Sequence, residues 1–161
     1  GGLADDVVAT SSPLIARNGN KLEVVVPMPQ DRVHSDEKKL RQMLINLLSN
    51  AGKFTRNGSV KFELWVERNG ADDRLHAVVT DTGIGIAPDV LPRLFDSYMQ
   101  ADETIHSRFG GTGIGLALTR KFAVLLGGEI KATSKLGIGS RFEIDVPAQL
   151  LIDTPTATLA A

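Results

Sequence analysis

Asp81-Thr-Gly-Ile-Gly-Ile86 and its echo Gly110-Gly-Thr-Gly-Ile-Gly-Leu116 decide how this chain is read. Each sets glycines at alternate positions and returns at once to apolar residues, which puts a tight backbone bend directly against a core. Glycine reaches positive φ without penalty and lets another group come close to the main chain. A single loop of this kind is an ordinary turn. Two of them, separated by a polar stretch and with the second opening a predicted helix, suggest two walls of one ligand site.

Outward from these loops, the strongest helical pattern runs from Lys38 to Phe54, behind Asp36 at the N-cap position. Leu40, Met43, Leu44, Leu47, Leu48 and Ala51 form one apolar stripe. At about 100° per residue, Asn46, Asn50 and Lys53 share a narrow polar ridge beside that stripe. Asparagine is a poor helix former, so two of them one turn apart call for a reason; a solvated face is the plain alternative. Next, Val60, Phe62, Leu64 and Val66 alternate with Lys61, Glu63, Trp65 and Glu67, the pattern of a half-buried strand. A turn at Asn69–Asp73 leads into a partner strand, Arg74–Thr80, which delivers Asp81 to the first glycine loop.

The remaining elements are weaker. Leu3–Ala16 has helical spacing that Pro13 is expected to distort or break. Leu22–Val26 reads as a strand and Pro88–Phe95 as a short helix with Pro88 in its first turn. Ser97–Arg108 has no period of either kind, as in a lid or binding loop. Leu116–Leu126 reads as a helix closed by Gly127-Gly128, and Glu129–Ser134 and Ser140–Val146 as two final strands. No packing pattern is read after Pro147.

The chain has 161 residues, 42% of them hydrophobic, enough for one domain with its own core. A net charge of −1 gives no electrostatic footprint for nucleic acid. The absence of cysteine excludes disulfides and thiolate metal sites and fits a reducing compartment. No apolar run approaches the roughly 20 residues of a membrane helix, and no signal-peptide pattern is read. Gly1-Gly2 reads as a tag remnant on a fragment of a longer protein. Residues 1–152 are expected to form the domain and 153–161 a flexible tail.

A glycine loop opening a helix suits an anion, because free N–H groups and the positive helix end face it. Neither a P-loop nor a dinucleotide fingerprint is present: Gly52-Lys53 is followed by Phe54, and Leu118 stands where the third glycine would be. Polyphosphate calls for Mg²⁺, to which an Asn carbonyl on a rigid helix can supply one ligand. Lys53 and Arg108 are candidates to neutralise phosphate, and Asp81 to accept a hydrogen bond from the adenine amine.

Asn46-Leu-Leu-Ser-Asn50-Ala-Gly-Lys53-Phe-Thr, Asp81-Thr-Gly-Ile-Gly85, Leu94-Phe95 and Gly111-Thr-Gly-Ile-Gly-Leu116 resemble, in order and spacing, the N, G1, F and G2 boxes of the catalytic ATP-binding domain of sensor histidine kinases. Gly137-Ile-Gly139-Ser140 resembles the further glycine box. The resemblance covers roughly residues 3–147. It implies a two-layer α/β sandwich of the Bergerat type, with a mixed, mostly antiparallel sheet of about five strands packed on about three helices.

The same resemblance implies a set of roles. Asn50 would be the principal Mg²⁺ ligand, with Asn46 beside it. Lys53 and Arg108 would contact phosphate, and Arg108 would reach the γ-phosphate from an ATP lid over Ser97–Gly110. Asp81 would read adenine, Gly83 and Gly85 would shape the base pocket, and Ser140 would support Asp81 directly or through water. Gly111, Gly113 and Gly115 would offer backbone amides, and Ile86, Tyr98, Thr112 and Leu116 would line the site. Gly52 departs from an aliphatic position of the family and is expected to loosen the helix end by roughly 1 kcal/mol relative to Ala.

None of His34, His76 or His106 has a phosphoacceptor setting, so the acceptor would lie on a dimerisation domain outside this chain. The implied partners are that domain, in a homodimeric full-length protein, and a response regulator or receiver domain. The fragment itself is expected to be monomeric, cytoplasmic and free of nucleic-acid or membrane contact, although the full-length protein could be membrane-anchored. A non-catalytic ligand-sensing module and an ATPase clamp are the rival readings.

Overall fold

The computed structural model describes residues 2–27, 33–34, 36–68, 72–96 and 114–150. Helix α1 is Leu3–Arg17, strand β1 Lys21–Val25, β2 Val33–His34, helix α2 Glu37–Phe54, β3 Ser59–Glu67 and β4 Arg74–Asp81. A 3₁₀ turn follows at Leu91–Arg93, then helix α3 at Ile114–Leu125, β5 at Glu129–Lys135, β6 at Gly139–Pro147 and β7 at Gln149–Leu150. The main sheet has five strands in the order β1-β3-β4-β6-β5. Strand β1 runs parallel to β3, and the other neighbours are antiparallel. This is the expected mixed sheet, with the three helices packed on it. Among the described residues no helix is long and apolar enough to cross a membrane.

Helix α2 is the spine. The Asp36 carboxylate caps it by accepting from the Lys39 backbone N–H at 3.1 Å. Its predicted stripe, Leu40 through Ala51, is buried against Val60 and Phe62 of β3 and Val79 of β4 within one core. The outward residues of β3 behave as their spacing predicts, and Trp65 stacks on His76 of β4 with ring centroids 5.1 Å apart. Phe95 is a packing residue, meeting Phe142 edge-on at 6.3 Å.

Four expectations need correction. Pro13 does not break α1. It lies on the exposed side, as does Ala9, whose carbonyl loses its helical partner to the proline, while Val7, Ser11 and Ile15 pack inward. The proline penalty therefore falls where water offsets part of it. Residues 88–95 form turns around a three-residue 3₁₀ segment rather than a helix. Past Pro147 the chain is still engaged: the Ala148 N–H donates to the Asp73 carbonyl at 2.8 Å, and β7 pairs with β2.

Gly52 is the fourth. A methyl group added there would stand 3.1 Å from both Cα and Cγ1 of Ile15, so its bareness brings α1 against α2. An alanine here would need Ile15 to give by a few tenths of an ångström, so comparison with Ala is not one of helix propensity alone.

Candidate functional site

The site is built where α2 ends. The last carbonyls of a helix lack helical partners, and here two asparagines before β1 take them. Asn18 Nδ2 donates to the Gly52 carbonyl at 2.9 Å, and the buried Asn20 donates to the carbonyls of Thr55 at 2.7 Å and Gly52 at 3.3 Å. Asn20 Oδ1 also accepts from the Gly58 N–H at 3.0 Å. The turn bearing Asn50 and Lys53 is thereby fixed to β1 and to the start of β3. Among the described residues the half-buried Asn50 amide makes no hydrogen bond, which leaves its oxygen open to a ligand, and the exposed Lys53 makes no ion pair.

The first glycine loop is laid directly on this helix end. The Ile84 N–H donates to the Phe54 carbonyl at 3.2 Å. A Cβ on Gly83 would collide with that same carbonyl, so only glycine lets the loop close. Gly85 has φ +73° and sits against the Lys135 carbonyl, a conformation and a clearance that a side chain would both spoil. The loop is then tied to the β5–β6 hairpin. The Gly137 N–H donates to the Ile84 carbonyl at 2.7 Å, and the Ile86 N–H donates to Ser134 Oγ at 2.7 Å.

Asp81 closes β4 at the mouth of this loop and is buried, at 6% exposure. Its Oδ1 accepts from the Gly83 N–H at 2.9 Å. Burial pushes its carboxyl above the ordinary aspartate value, while the backbone N–H groups of Gly83 and Ser140 and the Thr55 hydroxyl pull the other way. The Thr55 hydroxyl is itself fully buried and lacks a well-formed hydrogen bond. It stands by Asp81 as an unsatisfied polar neighbour, close enough to bias the carboxylate.

Beside α2 lies the first turn of α3, which carries Gly115 and Leu116. Asn46 Nδ2 lies 3.3 Å from the Gly115 carbonyl and 3.4 Å from Thr119 Oγ1, and Asn46 Oδ1 accepts from Gln42 Nε2 at 3.1 Å. Leu116 is half-buried against the core.

The structure thus gathers Asp81, Gly83, Gly85, Ile86 and Ser140 around one hairpin, and joins Asn46 to Gly115 across α2 and α3. Tyr98, Arg108, Gly111, Thr112 and Gly113, with the lid stretch, lie outside the described residues. The Ser140 hydroxyl bonds Ser134 Oγ at 2.8 Å, and it is the Ser140 backbone N–H that favours the ionised Asp81. Reading the sequence missed Thr55, Thr119, Asn20 and Ser134. Their signal, small polar residues at element ends or inside apolar runs, is common to many turns and caps.

Residues 35–150 match the family model of histidine kinase-, DNA gyrase B- and HSP90-like ATPases. The chain is 46% identical over 124 residues to the circadian input-output histidine kinase CikA of Synechococcus elongatus, covering 76% of this chain and 16% of that protein. It is 41% identical over 141 residues to the histidine protein kinase DivJ of Caulobacter vibrioides, covering 86% of this chain and 23% of that one. Among solved structures, full-length ShkA in complex with AMPPNP superposes with a TM-score of 0.75 at 32% identity, over 92% of this chain and 30% of that one. The chain therefore spans less than a quarter of either curated relative.

Proposed function

The chain belongs to the histidine kinase-, DNA gyrase B- and HSP90-like ATPase family as the ATP-binding catalytic domain of a histidine kinase, and from that premise we propose how it holds Mg·ATP and what it does with it. Asp81 accepts the adenine amine, and the Gly83–Ile86 backbone forms the wall of the base pocket. The observation that carries this is a buried carboxylate at a strand end, fixed by the Gly83 N–H and set above its ordinary pKa by burial. A carboxyl shifted by burial at the mouth of a loop is a candidate for a ligand contact.

The phosphate end lies along the Asn50–Lys53 turn. The described residues hold no cluster of His, Cys, Asp or Glu that could cage a cation. One uncommitted Asn oxygen suits Mg²⁺, which keeps waters and takes phosphate oxygens as its other ligands. When bound, the ion neutralises phosphate charge. Asn50 holds it, Lys53 contacts phosphate, and Gly111, Gly113 and Gly115 offer backbone N–H groups at the positive end of α3. Arg108 and Tyr98 from the lid, with Thr112 beyond it, complete the site, and Arg108 reaches the γ-phosphate.

In the complete protein these groups present the γ-phosphoryl to a histidine on a separate dimerisation domain, where catalysis is chiefly positioning and charge stabilisation. A receiver domain or response regulator then takes the phosphoryl group. This activity belongs in the cytoplasm, where ATP and the receiver are found, and the domain alone is monomeric.

The test supplies γ-labelled ATP and a dimerisation domain containing an acceptor histidine. Acid-labile phosphohistidine is the expected product. ATP binding without any transfer would instead favour a ligand-sensing module.

A further inference from the structure

Asn46 stands one turn before Asn50 on α2, and the obvious role for it is as a second metal ligand. Its surroundings argue otherwise. The amide nitrogen faces two acceptors on α3, the Gly115 carbonyl and Thr119 Oγ1, while its oxygen accepts from Gln42. Turning the amide over would set its oxygen against the Gly115 carbonyl, which can only accept, so that contact fixes the orientation. Thr119 is fully buried and donates its own hydroxyl to the same Gly115 carbonyl at 2.7 Å. A methyl group placed on Gly115 would stand 3.6 Å from Asn46 Cγ, at ordinary contact distance, so the two elements lie close together at this point.

We infer that Asn46 is a positioning residue that serves the nucleotide through α3, as one half of an Asn46–Gly115–Thr119 clamp, and does not ligate the metal. This rests on the proposed function, in which the first turn of α3 faces the phosphates and Asn50 faces the ion. The clamp fixes the distance between those two turns. With both amide hydrogens aimed at α3 and one lone pair of its oxygen engaged by Gln42, Asn46 is held to its neighbours, where the Asn50 oxygen is not. Removing it loosens the phosphate end whether or not metal is present. The base end, which hangs on Asp81 and the β5–β6 hairpin, does not move.

The test measures ATP affinity of the 161-residue chain by calorimetry, in Mg²⁺ and in EDTA, with adenosine as a probe of the base end. Asn46→Ala is expected to weaken ATP roughly fivefold by the same factor in both buffers, as loss of an ordinary hydrogen bond does, and to leave adenosine binding unchanged. Thr119→Val, isosteric and remote from the metal, is expected to weaken ATP a few-fold in both buffers. The double variant should lose no more than Asn46→Ala alone. Asn50→Ala is the contrast, losing affinity only in Mg²⁺.

A loss for Asn46→Ala that is confined to Mg²⁺, or an equal loss for adenosine, overturns the inference. Should Asn46→Ala fail to fold, Thr119→Val decides alone, and wild-type affinity in that variant overturns it. If the unsubstituted chain binds no ATP in either buffer, the proposed function falls and this inference with it.

Discussion

Replacing Asp81 with asparagine separates what this carboxylate does for the ligand from what it costs the fold. Burial raises its pKa in the folded chain above the value near 3.8 that it has when unfolded. A carboxyl shifted upward contributes stability that is fully present below the unfolded pKa and is lost as pH rises through the folded pKa. At pH 7.5 the ionised group is therefore a burden on the empty domain. The amide of Asp81→Asn keeps an oxygen for the Gly83 N–H but carries no charge, so the empty variant should melt higher than the parent at pH 7.5, with the gap closing toward pH 4.

With ATP the order reverses. A hydrogen bond to a charged acceptor is worth about 1.5–3 kcal/mol, or roughly 10- to 100-fold in affinity. At ATP one hundred times its Kd, binding stabilises the parent by about 2.7 kcal/mol, and a 100-fold weaker site retains only about 0.4 kcal/mol. For a chain of this size that is a shift of roughly 5–10 °C reduced to below about 2 °C. Differential scanning fluorimetry with and without ATP, at both pH values, reads all four quantities. If the empty variant melts lower at pH 7.5, the reasoning about burial is wrong. An undiminished ATP shift would refute the assignment of the base.

Three further substitutions probe the frame around the site. Thr55→Val removes the hydroxyl that favours ionised Asp81, so the acid limb of ATP affinity should move to higher pH, as titration calorimetry across pH 4–8 would record. Gly85→Ala forces a side chain into positive φ against the Lys135 carbonyl, and a loss of at least about 1–3 kcal/mol in denaturant unfolding is expected. Pro13→Ala restores an N–H inside α1 and should raise the urea midpoint, by up to about 3 kcal/mol in stability; no rise would mean that the proline is not the defect its position suggests.

The sequence made the spine legible because α2 and β3 obey a single period each over many residues, and burial follows that period. The glycine boxes were legible because alternate glycines beside apolar residues suit little except a bare backbone bend laid against a core. What lay beyond reach depends on partners far away in the chain. Gly52 reads as a weak helix position until Ile15 is seen against it. Pro13 reads as a breaker until its side of the helix is known to face solvent. Two-residue strands such as β2 and β7 carry too little pattern to register. Asn46 and Asn50 look equivalent on a helical wheel, and only α3 packed against one of them tells them apart.

Nucleotide selectivity tests the central claim most directly. Asp81 accepts from the amine of adenine but would confront the O6 lone pairs of guanine, leaving two buried acceptors face to face. Titrating the chain with ATP and GTP, each with and without Mg²⁺, should give ATP binding that Mg²⁺ strengthens and GTP binding weaker by at least about 100-fold, the scale set by an unpaired buried polar group. Equal affinity for the two nucleotides, or ATP binding indifferent to Mg²⁺, would contradict the account of how this site holds its ligand.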